Sequence, residues 1–226
     1  MPRKNGLLAS LSIDDHDLLA PHLESVVLEL RKSLERPNRR IGAAYFPEAG
    51  IASVVAVQSN GKRVEVGLIG REGMTGLPIV FGDHRSPHAT YMQVAGTGKC
   101  IPAAELITAI RKSLSLRDSL LKFVQTFGVQ ITQTAICNAQ SRLDQRLARW
   151  LLMAHDRMGE DTIALTHEFL SLMLAVRRSG VTEAVHALRN HDLISYERGH
   201  ITVRTARGWS VRPAKPMAPP RPSIAD

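Results

Sequence analysis

The chain has 226 residues, and its 29 lysines and arginines outnumber 21 acids for a formal charge of +8. That length holds one large domain or two small ones, and the basic surplus is compatible with nucleic acid, an acidic membrane surface or simple solubility. The two distant cysteines, Cys100 and Cys137, exclude an iron–sulfur cluster or an all-cysteine zinc site within one chain and suit reduced thiols in a cytoplasmic protein. No run approaches the ~20 apolar residues of a membrane span, and the start, charged but without a sustained apolar stretch, gives no expectation of a signal peptide.

Met1–Ser12 reads as a loose arm, and Asp14–Leu23 as a short helix limited by Pro21. The texture then changes to short β-branched runs at Val26–Leu30, Ile41–Phe46, Ile51–Val57 and Arg63–Ile69, separated by turn residues. Asn60-Gly61 between two of these runs is a hairpin signal. Leu77–Phe81, Ala89–Ala95 and Lys99–Ile101 continue the series. The spacing predicts an antiparallel sandwich or barrel of about eight strands.

From Pro102, which suits a first helical position before Ala103–Ser113, the pattern turns helical. A longer helix is predicted from Leu116 to Ala139. Leu120, Val124, Phe127, Ile131 and Thr134 recur in it at spacings of four and three, a heptad-like seam. A lone amphipathic helix ordinarily packs on its own domain, but a seam of this length fits a dimer helix better. Ser141–Met158 is a further amphipathic helix with Leu143, Leu147, Trp150 and Leu151 inward.

Thr166–Asn190 reads as two short helices joined by a tight turn at Ala175–Val176. Phe169, Leu170, Met173 and Leu174 lie on one face of the first; Val181, Ala184, Val185 and Leu188 lie on one face of the second. Arg177, Arg178, Ser179, Thr182 and Glu183 fall at the start and outer side of the second helix, where a helix-turn-helix places its groove-reading side chains. Two arginines at a helix N-terminus oppose the helix dipole, and an external polyanion compensates for that. From Thr166 to Arg212 there are seven arginines, no lysines and four acids. Leu193–Tyr196 and Ile201–Val203 around Arg198-Gly199 form a predicted hairpin, the wing of a winged helix. Val211–Asp226, with five of the 12 prolines, reads as a flexible tail.

Several motifs resemble the Crp/Fnr family of bacterial transcription regulators. They are Tyr45–Ser53, Val64–Met74, Leu174–Ala184 and Leu193-Ile194. The resemblance implies an α+β chain in four parts: a cyclic-nucleotide-binding-like β-roll sensor (residues 1–115), a dimerisation helix (116–140), a winged helix-turn-helix (141–212) and a tail (213–226). It implies a homodimer on palindromic double-stranded DNA, with RNA polymerase open as a further partner. Arg178, Ser179 and Glu183 match the base-reading positions; Arg177, Thr182, Arg198 and His200 are backbone-contact candidates. Ala175 stands where the family turn often carries glycine.

The β-roll departs from the family's cyclic-nucleotide cassette, which has a Gly-Glu followed about ten residues on by Arg-Ser-Ala. Gly76 is followed by Leu77, and the later triplet aligns with Pro87-His88-Ala89, with Arg85-Ser86 two residues early. A buried phosphodiester needs a cation and donors, so cyclic-nucleotide control of the usual kind is not expected, and the effector stays open. His84 and His88 flank Pro87 in a loop, and none of the nine histidines has metal-motif spacing. No cofactor is expected. No nucleophile–base pair or phosphate loop appears, so an enzyme is not expected. A ligand-sensing or scaffold protein with a basic protein-binding C-terminal unit is the competing class.

Overall fold

The computed structural model describes residues 5–204; the predicted tail, the last residues of the predicted winged unit and Met1–Lys4 lie outside them. The described part of Met1–Ser12 is not a loose arm: Asn5, within it, is buried. Its side chain caps helix α1 (Gly6–Ala9) through the Leu8 N–H at 2.9 Å and donates to the Pro47 and Gly73 carbonyls at 2.8 Å each. A single asparagine satisfying three backbone groups fixes a segment whose sequence pattern carries no periodicity. Helix α2 (Ile13–Leu19) and a 3-10 turn through Pro21 follow as expected.

Seven strands then build the roll: β1 (Glu24–Leu28), β2 (Ser33–Glu35), β3 (Ala43–Pro47), β4 (Ile51–Val57), β5 (Arg63–Ile69), β6 (Ala89–Val94) and β7 (Gly96–Pro102). They form two antiparallel sheets, ordered β1-β7-β3 and β2-β6-β4-β5. The run Leu77–Phe81 is not a strand: Leu77–Val80 is a helical turn, α3, entered from Gly76 with φ 80. Pro78 removes a ladder donor and suits a first helical turn, which decides the competition. Pro102 ends β7 and stands just before helix α4 (Ala103–Lys112) as its cap rather than inside it. The ladder of β4 with β5 shifts between Val54 and Val55, so Gly67 faces Val54 while Glu65 faces Val55.

Helix α5 (Leu114–Gln140) crosses the open side of the roll. Its predicted seam is turned inward. Leu120 is buried with α1, α2 and α4, and Phe127 is buried among Leu28, Ile69 and Met92 of the roll. Val124 and Ile131 are half-buried against the same two clusters, and Thr134 takes a contact from Arg149 at 3.4 Å. The heptad spacing is present, but the chain's own β-roll supplies the apolar partner. The opposite face of α5 carries exposed Gln125, Gly128, Val129, Thr132, Ala135 and Ile136.

Helix α6 (Leu143–Met158), strand β8 (Thr162–Ala164), helices α7 (His167–Leu174) and α8 (Arg178–Asn190), and strands β9 (Ile194–Glu197) and β10 (His200–Val203) complete the described chain. The small sheet runs β8-β10-β9. Its core of Leu147, Leu151, Leu170, Val181, Leu188 and Ile201 is one apolar cluster that also takes in Ile51 and Leu68 of the roll.

Candidate DNA-binding unit and its coupling to the roll

Thr166 starts α7 by accepting the Phe169 N–H on its hydroxyl at 3.3 Å, an ordinary threonine N-cap. The helix ends at Ala175, which takes the left-handed conformation (φ 52, ψ 43), and the Val176 N–H returns to the Ser171 carbonyl at 3.1 Å. That reversal sets α8 across α7, with Leu170, Met173 and Leu174 buried against Val181, Ala184 and Val185. Helix α6 backs α8 so closely that a Cβ on Gly180 would lie 3.0 Å from Leu143. The wing turns through Arg198 (φ 47) and Gly199 (φ 83), the paired left-handed geometry of a type I′ hairpin. Strand β8, too short to show alternation in the sequence, completes its sheet.

Arg177, Arg178, Ser179 and Glu183 are all exposed, as are Arg198 and His200 on the wing. No side chain caps α8, and its first turn contains no acid. The positive end of the helix dipole and two guanidinium groups therefore share one surface. Thr182 differs from expectation. It is half-buried, its hydroxyl donates to the Arg178 carbonyl at 3.1 Å, and it lies 3.3 Å from His167 Nδ1, whose ring stacks on Tyr196 at 4.9 Å. His186, Arg189 and Asn190 are exposed on the same outer arc of α8. They extend the face by two turns, and helical arithmetic at 100° per residue would have found them. Glu183 also borders a shallow cleft with Arg142 and Asp144 of the α6 start.

The winged unit is docked on the outer face of the four-stranded sheet. Glu65 of β5 is buried there: its Oε2 accepts the Ser53 hydroxyl at 2.5 Å and its Oε1 accepts the Trp150 indole N–H of α6 at 2.7 Å. Burial pushes the Glu65 carboxyl up to about 7, against the opposing pull of those two hydrogen bonds and of Arg157. Arg157 of α6 meets Glu72 at 2.7 Å and also donates to the Leu68 carbonyl at 3.4 Å. Gln93 of β6 contacts the Met173 sulfur of α7. None of the three junctions is legible in the sequence, because each joins residues about eighty positions apart.

Between the roll and α5 lies a cavity of about 500 Å³, lined by Val54, Ile69, Leu77, Val124, Phe127 and Ile131 among others. The charged residues bordering it are acids, Glu35 and Asp83. Glu35 is buried and accepts the Gly76 N–H at 2.8 Å. Arg85 points elsewhere, tied by its guanidinium to the Asn38 carbonyl at 3.0 Å. Ser86, His88 and Thr90 add to the cavity's polar lining, and among the described residues no arginine or lysine borders it.

Among the described residues no cluster of three metal-ligating side chains occurs, and no helix is long and apolar enough to cross a membrane. A β-roll, a long connecting helix and a winged two-helix unit follow one another along the chain. Residues 145–208 match the model of the Crp-like helix-turn-helix domain. Comparison with curated protein sequences gives no match. Solved structures similar to this chain include FixK2 of Bradyrhizobium japonicum, with TM-score 0.70 and 13% identity over 82% of this chain and 94% of that one. The c-di-GMP-responsive global regulator CLP of Xanthomonas campestris is similar at TM-score 0.68 and 14% identity, over 86% of this chain and 100% of its own. A Crp/Fnr-family regulator of Thermus thermophilus is similar at TM-score 0.65 and 20% identity, over 82% and 95%. The chain thus carries a Crp-like helix-turn-helix DNA-binding domain and has the fold of the Crp/Fnr family of transcriptional regulators.

Proposed function

We propose that the protein is a homodimeric, sequence-specific DNA-binding transcriptional regulator that recognises a palindromic site. The observation that carries this reading is the exposed, uncapped start of α8, where Arg177 and Arg178 stand with no acid in the first turn. Two such helices enter successive major grooves about one DNA turn apart. Arg178 pairs with guanine O6 and N7, and Glu183 accepts from a cytosine amino group. Arg177, Arg198 and His200 contact the backbone, which positions the protein without specifying sequence. Thr182, with its hydroxyl held on the Arg178 carbonyl, stiffens the first turn of α8 rather than reaching for phosphate.

The dimer face in this reading is the exposed side of α5, where Gly128, Thr132 and Ala135 allow close approach and Val129 and Ile136 supply apolar contact. Control does not run through a cyclic nucleotide held in the usual way. The cavity bordered by Glu35 and Asp83 suits a small, largely apolar molecule without negative charge.

Selection of bound sequences from a random duplex pool by the purified protein, repeated across a salt series, tests the reading. The expected result is a two-fold symmetric motif whose affinity falls steeply with salt. Weak binding with no selectable motif would instead support a scaffold whose basic unit meets protein.

A further inference from the structure

The junction between the sheet and the winged unit contains a titratable group that DNA recognition does not use. Glu65 is 7% exposed, and the indole of Trp150, itself 4% exposed, covers it. Its two oxygens bond to opposite sides of the interface, Ser53 on the roll and Trp150 on α6. Tyr91 of β6 lies within electrostatic reach of Glu65, and burial with that nearby carboxylate pushes the Tyr91 hydroxyl up, against the opposing pull of Arg63. From α6, Arg157 faces Glu65 but pairs with Glu72, while Arg146 donates to the Leu174 carbonyl and to Asn138. Arg149 borders the same water-sized cavity of about 30 Å³ as Glu65 and is directed to Thr134, with Cys137 of α5 alongside. Among the described residues no cation forms an ion pair with Glu65.

We propose that Glu65 is a proton-operated latch: with its carboxyl protonated the winged unit stays docked on the roll, and loss of that proton releases it. The protonated acid still accepts from the Trp150 indole and brings no net charge into the interface. Ionisation, the proton leaving to solvent, keeps the same hydrogen bonds but buries a net charge. Undocking uncovers the sheet face and returns the carboxylate to water.

The sign follows from the two states. The docked group titrates at about 7 and its ordinary value is 4.5. Docking is therefore at full strength below about 4.5 and weakens as pH rises to about 7, by a factor on the order of a few hundred. Release frees the winged unit to re-aim, and the consequence for operator affinity rests on the DNA-binding reading; the latch itself does not.

The test uses full-length protein carrying Trp209→Phe, which leaves Trp150 as the only tryptophan. Acrylamide quenching of Trp150 is followed from pH 5 to 8.5, without DNA. Accessibility is expected to rise several-fold across that range and to stay low and flat when Glu65→Gln is added, since glutamine reproduces the protonated acid. Adding Ser53→Ala instead, which removes a hydrogen bond that favours the ionised form, is expected to raise accessibility at pH 8.5 more than at pH 5.5. That second variant decides the matter if the glutamine protein does not fold. A flat profile in the Trp209→Phe protein, or an unchanged transition with Glu65→Gln, would overturn the latch. Because the readout contains no DNA, a failed latch and a failed DNA-binding reading remain separate outcomes.

Discussion

A Cβ on Gly67 would lie 2.7 Å from the Phe127 ring. Strand β5 and helix α5 approach so closely that only glycine leaves room for the aromatic side chain, and Phe127 is locked into its own chain. The two faces of α5 should therefore respond differently to mutation. Phe127→Ala is expected to lower the stability of the chain by about 3–5 kcal/mol, read by denaturant unfolding. Val129→Glu or Ala135→Glu, on the exposed face, should leave the secondary structure intact and shift the sedimentation profile from dimer to monomer. If Val129→Glu and Ala135→Glu both remain dimeric, the exposed face of α5 is not the seam.

The turn between α7 and α8 is built on a strained residue. Ala175 holds φ 52 and ψ 43, a region that costs a side-chain-bearing residue roughly 1–2 kcal/mol. Ala175→Gly removes that strain while loosening the unfolded chain by roughly 0.4–1 kcal/mol. The net expectation is a small stabilisation, seen as a higher melting temperature with the turn geometry kept. A lower melting temperature would show that the alanine methyl group makes a packing contribution larger than the strain.

Arg178 and Arg198 should fail in different ways. Arg178→Ala is expected to relax preference at one base step in each half-site, a loss of about 1–3 kcal/mol at that step. Arg198→Ala on the wing should weaken all sequences alike and reduce the salt slope by about one unit. Site selection on both variants, with affinities measured across a salt series, separates them. An unchanged motif with Arg178→Ala would remove that residue from base reading.

Arg157 joins the two units through Glu72 and the Leu68 carbonyl, and donates to the Met153 carbonyl of its own helix. Its side chain is 13% exposed, so its loss leaves acceptors unpaired near the junction. Arg157→Gln is expected to destabilise the protein by about 1–3 kcal/mol. The same guanidinium favours the ionised form of Glu65, so removing it makes ionisation costlier. The destabilisation should therefore be larger at pH 8 than at pH 5.5, measured by thermal unfolding at the two pH values.

Much of this protein follows from local pattern alone. β-branched runs with turn residues between them mark Ile51–Val57 and Arg63–Ile69 to the residue, and the two-helix unit with its hairpin wing is legible from helical and type I′ signals. The exposed arginines at the start of α8 are likewise where spacing puts them. Those features depend on contacts within a few residues, which periodicity and turn chemistry encode. Other features depended on what lies across a gap in the chain. The seam of α5 has the right spacing for a dimer, but spacing records which residues are apolar and not what covers them; the close approach of Gly67 to Phe127 is invisible in it. Asn5 gives no sign of order until Pro47 and Gly73 supply its acceptors. Glu65 is an unremarkable strand residue until Trp150, 85 positions later, closes over it. Burial and pairing are set by tertiary approach, so only the folded chain fixes which acid is buried and which residues of the long helix are covered by the roll.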